Sequence, residues 1–223
     1  MPAMVKVTFL GHAAFNIEGT KTVLVDPFIT GNPQSPLKGV EDIDKADVVI
    51  VTHDHGDHGF EDAVEICKRT GAYFVSQYEL VVKSNLEKVE PMSIGGFVNV
   101  GGMGVEVALT PAWHTAGVGD PAGVIIRMDG KTIYHAGDTG LFYDMKLIGE
   151  LYKPDLAILP IGSRFTMDIY QAAKAVEFIS PKFVITMHYN TFDLIKADPK
   201  EFERLVGDRA KVVILNPGES FEI

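Results

Sequence analysis

Short apolar runs that alternate with turn residues dominate the pattern of this chain. Residues 4–26 alternate and break like a meander of three strands. Further along, continuous apolar runs predict strands that are buried on both faces, at Val48–Val51, Leu156–Pro160 and Phe183–Met187. Helical spacing appears between these runs, as in the stripe formed by Phe60, Ala63, Val64 and Cys67. The pattern alone therefore predicts an α/β or α+β chain.

Turn and capping signals predict the remaining elements. The dipeptide Asp129-Gly130 predicts a hairpin, and residues 28–45 are rich in Pro and Gly and predict a long surface loop at the rim of a cleft. Capping boxes that start at Asp168 and Asp198 predict two helices, and another helix is expected near 141–151. No linker or repeat divides the chain, so residues 1–223 are expected to form one domain.

The densest chemistry lies directly after the apolar run Val48–Val51. There the segment Thr52–His58 carries five ionisable side chains, namely His53, Asp54, His55, Asp57 and His58. Burying such imidazoles unpaired would cost roughly several kcal/mol each, and a divalent metal removes that cost. Imidazole together with carboxylate suits Zn, Fe, Mn or Ni better than Mg or Ca. The alternative is a polar helix N-terminus with Asp57 as its cap.

The spacing within this segment indicates two ions. His53 and His55 can converge on one ion from an extended segment, and Asp57 and His58 are placed to reach a second. The pattern His53-x-His55-x-Asp57-His58 resembles the HxHxDH signature of the metallo-β-lactamase-fold hydrolases. In that superfamily a third histidine, a bridging aspartate and a last histidine follow in order, and this chain offers His114, Asp138 and His188.

The resemblance extends over essentially the whole chain. Gly11-His12, the turn Asp26-Pro27-Phe28 and the run Met187-His188-Tyr189 are similar to the ascorbate-6-phosphate-lactonase-like branch, of the UPF0173 type. The resemblance implies a four-layer αββα sandwich, with the metals at strand ends along one edge.

The resemblance also implies a ligand set and a reaction. His53, His55 and His114 hold the first ion, Asp57, His58 and His188 hold the second, and Asp138 bridges the two. The expected cofactors are two divalent metal ions, with zinc as the first choice and Mn, Ni or Fe as alternatives. A metal lowers the pKa of its bound water toward neutrality, so the expected reaction is hydrolysis, with Asp57 as proton shuttle and Asp138 also catalytic.

Two of these ligands also have structural interpretations. His114 could be an ordinary histidine after a strand, and Asp138 could cap the helix expected near 141–151. The hydrolysed bond is expected to be an ester, lactone, amide or phosphodiester of a small polar metabolite.

Six further residues are candidates of lower rank. His12 is expected to contact substrate or support the centre, and otherwise to be a strand-end histidine bonded to backbone. Asp26 is expected to accept the second N–H of a ligating imidazole, and the competing interpretation is an aspartate that forms the turn before Pro27. His135 is expected to support the ligands. Arg164 could hold a substrate carboxylate or phosphate, or be a solvated surface residue. Asn190 could donate to a substrate or orient a loop, and Trp113 could wall the pocket or pack in the core.

Composition limits the partners. The formal net charge is −10 and the pI is near 5.1, which argues against a nucleic-acid partner because such proteins need a basic face. One cysteine, Cys67, excludes an internal disulfide, and no apolar run reaches membrane length. We therefore expect a cytoplasmic protein that acts on a small molecule without a membrane partner. A homo-oligomer is left open.

Two other functions compete with hydrolysis. Some proteins of this fold hold two irons and reduce oxygen species, usually with a carboxylate in place of a site histidine and with an added flavin domain. Here all the site histidines are present and no flavin segment is recognised, which disfavours a di-iron redox protein. A metal-binding module without catalysis is the third interpretation, and the complete ligand set disfavours it.

Overall fold

The computed structural model describes residues 4–223, and within that range the chain forms fourteen strands and five α-helices. The strands are β1 Lys6–Gly11, β2 Ala14–Glu18, β3 Thr22–Val25, β4 Val48–Ile50, β5 Tyr73–Gln77, β6 Val89–Met92, β7 Val98–Asn99, β8 Glu106–Pro111, β9 Ala122–Met128, β10 Lys131–His135, β11 Leu156–Pro160, β12 Phe183–Met187, β13 Lys211–Val213 and β14 Ser220–Glu222. The helices are α1 Phe60–Thr70, α2 Tyr78–Ser84, α3 Met145–Tyr152, α4 Ile169–Ile179 and α5 Pro199–Val206.

The strands form two seven-stranded sheets. The first sheet has the order β14-β1-β2-β3-β4-β5-β6, and the second has the order β13-β12-β11-β10-β9-β8-β7. In the first sheet the predicted meander β1-β2-β3 is antiparallel, and β3 to β6 are parallel. In the second sheet β7 to β10 are antiparallel, and β10 to β13 are parallel. The parallel strands of each sheet therefore end at a common edge.

Strand β4 shows how the layers are built. Its alternate residues Val48 and Ile50 join the core cluster that includes residues of the second sheet, such as Leu109. Val49 and the next residue, Val51, join a separate cluster under α1. The sheet is therefore covered by the other sheet on one face and by α1 and α2 on the other, while α4 packs on β11 with α3 and α5 beside it. The predicted four-layer αββα sandwich is confirmed.

Three local expectations are corrected or refined. The helix expected near 141–151 begins only at Met145, with Asp144 as its N-cap, and Tyr143 and Asp144 form a turn before it. Trp113 is not in the core, since 71% of its surface is exposed. The loop 28–45 contains a 3-10 turn at Val40–Asp42, and its first residues, Phe28 and Ile29, are buried.

Both predicted capping aspartates do cap helices. Asp168 accepts a hydrogen bond from the backbone N–H of Gln171 at the start of α4, and Asp198 accepts one from Lys200 at the start of α5. Among residues 4–223 no helix has the length and apolar character that a membrane crossing needs.

Candidate metal centre

The predicted ligands follow strands, and so do the supporting candidates His12 and Asp26. His12 comes directly after β1, Asp26 directly after β3, and the segment from His53 to His58 follows β4 in the first sheet. The second sheet contributes the three remaining ligands, since His114 follows β8, Asp138 follows β10 and His188 follows β12. One edge of the sandwich therefore collects side chains from both sheets.

The backbone at these strand ends turns sharply. His12, Asp26 and His188 have φ values of 59°, 45° and 54°, in the left-handed region that residues with a Cβ seldom adopt. Such strain is retained where the surrounding structure enforces it. The backbone N–H of His188 donates to the carbonyl of His12 at 2.7 Å, which joins the two sheets at the centre itself.

The first group of candidate ligands is His53, His55, His114 and Asp138. Nε2 of His53 lies 3.0 Å from Nδ1 of His55, and that Nδ1 lies 3.2 Å from Nε2 of His114. Oδ2 of Asp138 lies 3.4 Å from Nε2 of His114 and 4.0 Å from Nε2 of His53. His55 therefore faces the group through Nδ1, whereas the other two imidazoles face it through Nε2.

The second group is His12, Asp57, His58 and His188. Oδ2 of Asp57 lies 3.1 Å from Nε2 of His12 and 3.9 Å from Nε2 of His188. The structure thus separates His53 and His55 from Asp57 and His58, which is the division expected from their spacing. It also adds His12, which the sequence placed only as a substrate contact or a support.

Asp138 lies between the two groups. Its Oδ1 lies 3.3 Å from Nε2 of His58, and its Oδ2 lies 3.1 Å from Nε2 of His188 as well as facing His114. Asp138 does not cap a helix, because α3 begins seven residues later at Met145.

The chemistry of these donors fits a pair of divalent ions. Nε2 of His58, Oδ1 of Asp138 and both ring nitrogens of His188 are buried without a hydrogen-bond partner. Buried polar atoms are normally paired, so the three of these atoms that lie around Asp138, namely Nε2 of His58, Nε2 of His188 and Oδ1 of Asp138, indicate a cation site. Nitrogen and carboxylate oxygen together match the preference of zinc, manganese, iron or nickel.

Asp26 sets the orientation of the imidazoles behind the centre. Its Oδ2 accepts a hydrogen bond from Nδ1 of His58 at 2.8 Å and another from the hydroxyl of Thr52 at 2.8 Å. The Thr52 hydroxyl has thereby used its proton, so it accepts from Nδ1 of His53 at 3.0 Å. In the neutral form of both histidines the proton is on Nδ1, so Nε2 offers its lone pair toward the centre.

Sequence reasoning did not single out Thr52 as a functional residue. Its position immediately before His53, together with the Asp26 that ends a neighbouring strand, was the available signal.

Burial and neighbouring charge shift the pKa values of this cluster. Burial, and after it the charge of the nearby His58, lower the pKa of His53 to about 2. Burial alone would lower the pKa of His58, but the carboxylates of Asp138 and Asp26 raise it well above its usual value. Burial would raise the pKa of Asp138, but His58 and His188 hold it well below its usual range. The bridging carboxylate is therefore ionised and available to cations.

A pocket of about 400 Å³ opens over the centre. It is lined by His55, Gly56, Asp57, His114, Thr115, Asp138, Phe165 and His188. Phe165 is 52% exposed and is the large apolar side chain of this lining, which sequence reasoning did not identify. Trp113, expected as a pocket wall or a core residue, is exposed and does not line the pocket.

Three candidates of lower rank lie apart from the pocket lining. Nε2 of His135 donates to the carbonyl of Ala13 at 2.9 Å, and its Nδ1 accepts from the N–H of Gly137 at 3.2 Å. Arg164 is exposed and stacks over the ring of Phe165. Asn190 is exposed and exchanges two hydrogen bonds with the backbone of Ala197, so it orients a loop.

Comparison with known proteins agrees with this geometry. The sequence profile of the beta-lactamase superfamily domain matches residues 21–189. A UPF0173 metal-dependent hydrolase of Korarchaeum cryptofilum is 52% identical over 225 residues, covering 99% of this chain and 100% of the relative. Another, from Pyrococcus furiosus, is 51% identical over 229 residues, with 99% and 100% coverage.

A solved structure gives the same assignment. Igni18, a metallo hydrolase from the archaeon Ignicoccus hospitalis, superposes with a TM-score of 0.92 at 45% identity, covering 99% of this chain and 98% of that one. The family expected from the HxHxDH segment is confirmed. This chain belongs to the beta-lactamase superfamily, in its group of UPF0173 metal-dependent hydrolases.

Proposed function

We propose that this protein hydrolyses an ester, lactone, amide or phosphodiester bond of a small metabolite with two divalent metal ions, zinc being the first choice. The observation that carries the proposal is the pair of ligand groups that share Asp138 at the floor of an open pocket. Two-metal hydrolases need a bridging ligand that holds the ions roughly 3.5–4 Å apart. We also propose that residues 1–223 act as one domain and that the protein works in the cytoplasm.

Each proposed ligand would bind one of the two ions, except Asp138, which would bind both. His53, His55 and His114 would hold the first ion, Asp57, His58 and His188 the second, and Asp138 both. When bound, the two ions activate water as a nucleophile at neutral pH and polarise the bond to be hydrolysed. The imidazoles supply this binding without adding negative charge, so the site keeps a net attraction for an electron-rich substrate oxygen.

Asp57 is the residue we assign to proton transfer. It lines the pocket and its side chain is 33% exposed, so a proton can pass from it to solvent or to a leaving group. Burial raises its pKa, but the neighbouring imidazoles of His12 and His58 outweigh this effect and hold the pKa below the usual range. A carboxylate in that state accepts a proton only briefly, as a shuttle must.

The pocket lining favours a substrate with both a polar reacting bond and an apolar portion. Phe165 lines the same pocket as the ionisable groups, where it can contact a hydrocarbon or ring. The volume of about 400 Å³ suits a small metabolite.

Elemental analysis followed by a hydrolysis screen tests the proposal. Purified protein is analysed for bound metal and then assayed on lactones, phosphodiesters and acyl-amides, with and without a chelator. We expect two metal equivalents, and we expect turnover of at least one substrate class that the chelator abolishes. His55→Ala should keep the wild-type far-UV circular dichroism and lose turnover by about a hundredfold or more.

Asp193→Ala is the matched control, because Asp193 is an exposed carboxylate paired only with Lys196 within the described part of the chain. It should keep both metals and full turnover. Oxygen consumption without hydrolysis would replace the proposal with a di-iron redox function. Two bound metals without turnover of any substrate class would leave a metal-binding module instead.

A further inference from the structure

We infer that His12 is an additional ligand of the second metal ion, and that Thr191 and Gln34 hold its ring so that Nε2 faces that ion. The inference rests on the two-metal site of the proposed function. His12 lies outside the HxHxDH segment and forty-one positions before it begins, at the end of β1.

The position of His12 is that of a ligand. Its side chain is fully buried, and its Nε2 lies 3.1 Å from Oδ2 of Asp57, within the same group as His58 and His188. Its ring packs against that of His188, with the centroids 4.1 Å apart, and Phe28 and Phe192 cover its other sides. No solvent reaches the ring, so a lone pair on Nε2 can interact only with the side chains of this group.

Hydrogen bonds behind the ring assign its proton. The hydroxyl of Thr191 donates to Oε1 of Gln34 at 2.9 Å, so its only proton is used. The same hydroxyl lies 2.8 Å from Nδ1 of His12 and must accept from it. In the neutral ring Nε2 then carries the lone pair, and it faces the carboxylate of Asp57. Two acceptors at this distance repel each other unless a cation lies beside both.

The same arrangement stands behind a residue of the HxHxDH segment. Nδ1 of His53 donates to the hydroxyl of Thr52, and that hydroxyl donates in turn to Asp26. His12, Thr191 and Gln34 repeat this order of imidazole, threonine hydroxyl and side-chain carbonyl oxygen at the other group. A metal-binding imidazole usually donates its outer N–H to a fixed oxygen acceptor, and the two threonine hydroxyls serve as that acceptor here.

His135 provides the contrast. It is also fully buried and ends a strand of the same sandwich, but both of its ring nitrogens bond to backbone groups. No lone pair of His135 is left for a metal. Burial and position after a strand are therefore not sufficient, and the outward-bonded Nδ1 is what distinguishes His12.

The inference makes the two ions unequal. With His12, the second ion has five protein ligands, namely His12, Asp57, His58, His188 and the bridging Asp138. The first ion has four, namely His53, His55, His114 and Asp138. The first ion would therefore have one protein ligand fewer than the second, so water or substrate would add to the first ion more readily, by expansion to five ligands.

Metal affinity tests the inference independently of turnover. Zinc binding is measured by competition with a chromophoric chelator for wild type, His12→Gln and the matched control His135→Gln. We expect wild type to bind two ions, and His12→Gln to weaken one of them by about 10- to 100-fold while the other is unchanged. His135→Gln should leave both affinities within about twofold of wild type even if it lowers stability, because that ring has no lone pair to offer.

Thr191 gives a second test that does not depend on the fold tolerating a change at His12. Thr191→Val removes the hydroxyl at nearly constant volume and should weaken the same ion by about tenfold, whereas Thr191→Ser, which keeps the hydroxyl, should restore it. Equal affinities for both ions in Thr191→Val and Thr191→Ser would overturn the inference, as would an unchanged affinity in folded His12→Gln. If either of these results is obtained while wild type binds two ions, the inference fails but the proposed function still stands. Wild-type protein that binds fewer than two ions overturns the proposed function instead.

Discussion

At the scale of single residues, groups behind the imidazoles decide which nitrogen faces the metals. Asp26 is fully buried and accepts three hydrogen bonds, from the N–H of Thr52 at 2.7 Å, from its hydroxyl and from Nδ1 of His58. One carboxylate thus supports a ligand of each group. An amide of the same shape cannot do so, because it offers one acceptor and one donor.

We predict that Asp26→Asn weakens metal binding by about 10- to 100-fold and lowers the free energy of unfolding of the metal-free protein by about 1–3 kcal/mol. The new amide N–H₂ would face either the N–H of Thr52 or Nδ1 of His58. In the second case His58 changes tautomer and presents a proton to the centre. Zinc competition and urea unfolding measure the two effects.

Asp198→Asn is the control for Asp26→Asn, since Asp198 is an exposed helix cap that Asn replaces well. It should change neither quantity appreciably. If Asp26→Asn binds both ions as tightly as wild type, Asp26 only forms a turn, which was the competing interpretation of the sequence.

Local spacing explains which residues could be predicted. His53, His55, Asp57 and His58 lie within six positions, so their division into two groups follows from the chain's own geometry. The partners of His12 could not be found in this way. Thr191 lies 179 positions away from it, and Gln34 lies 157 positions from Thr191, so only the folded sheets bring the three together.

At the scale of elements, the start of α1 is fitted closely to the centre. Gly59 follows His58 directly, has a φ of 69°, and is the N-cap of α1. A Cβ at this position would collide with the backbone of Pro27, next to Asp26. The junction between the metal segment and its helix therefore requires glycine for both conformation and space.

We predict that Gly59→Ala destabilises the metal-free protein by about 1–3 kcal/mol more than Gly71→Ala does. Gly71 ends the same helix with a φ of 72°, and a Cβ there would meet no atom within 4 Å. The second substitution carries only the conformational cost, roughly 1–2 kcal/mol, so the difference isolates the collision. Urea unfolding of the two variants measures it, and equal losses would show that Pro27 moves aside.

Element boundaries were harder to predict than element types. The stripe of α1 was predicted correctly, because Phe60, Ala63, Val64 and Cys67 are all buried. The predicted start of α3 was wrong, because the apolar residues Leu141 and Phe142 continue the helical spacing although both precede the helix. Such residues pack against the core without being helical, and spacing does not distinguish the two cases.

At the scale of the whole molecule, the metal centre joins two sheets. The HxHxDH segment and His12 belong to the first sheet, and His114, Asp138 and His188 belong to the second. Each proposed ion therefore has ligands from both sheets. Metal binding should stabilise the packing of one sheet on the other and not a single loop, because the ligands separate only when the sandwich opens.

We predict that bound zinc slows alkylation of Cys67. This thiol is buried under the first sheet, and burial raises its pKa to about 12, so iodoacetamide reaches it as thiolate only after the protein opens. One ion at a hundred times its dissociation constant should lower the rate about a hundredfold. The rate is followed by mass spectrometry with and without zinc, and the denatured chain serves as the control for direct zinc binding to the thiol. An alkylation rate that does not respond to zinc would mean that α1 opens alone.

The order of strands within each sheet lay beyond sequence reasoning. The apolar runs of β4, β11 and β12 identified strands that are buried on both faces, but nothing in them states which strand is the neighbour of which. The resemblance supplied the sandwich, and the structure supplied the pairing of β14 with β1 and of β13 with β12.

The bond from the N–H of His188 to the carbonyl of His12 has a consequence for biosynthesis. These residues are 176 positions apart, so the cage for the ions cannot exist until nearly all of the chain has left the ribosome. Translation takes on the order of ten seconds to proceed from His53 to His188. During that time the histidines of the first sheet lack the ligands that the second sheet contributes. The complete set of proposed ligands is therefore assembled only after translation has passed His188.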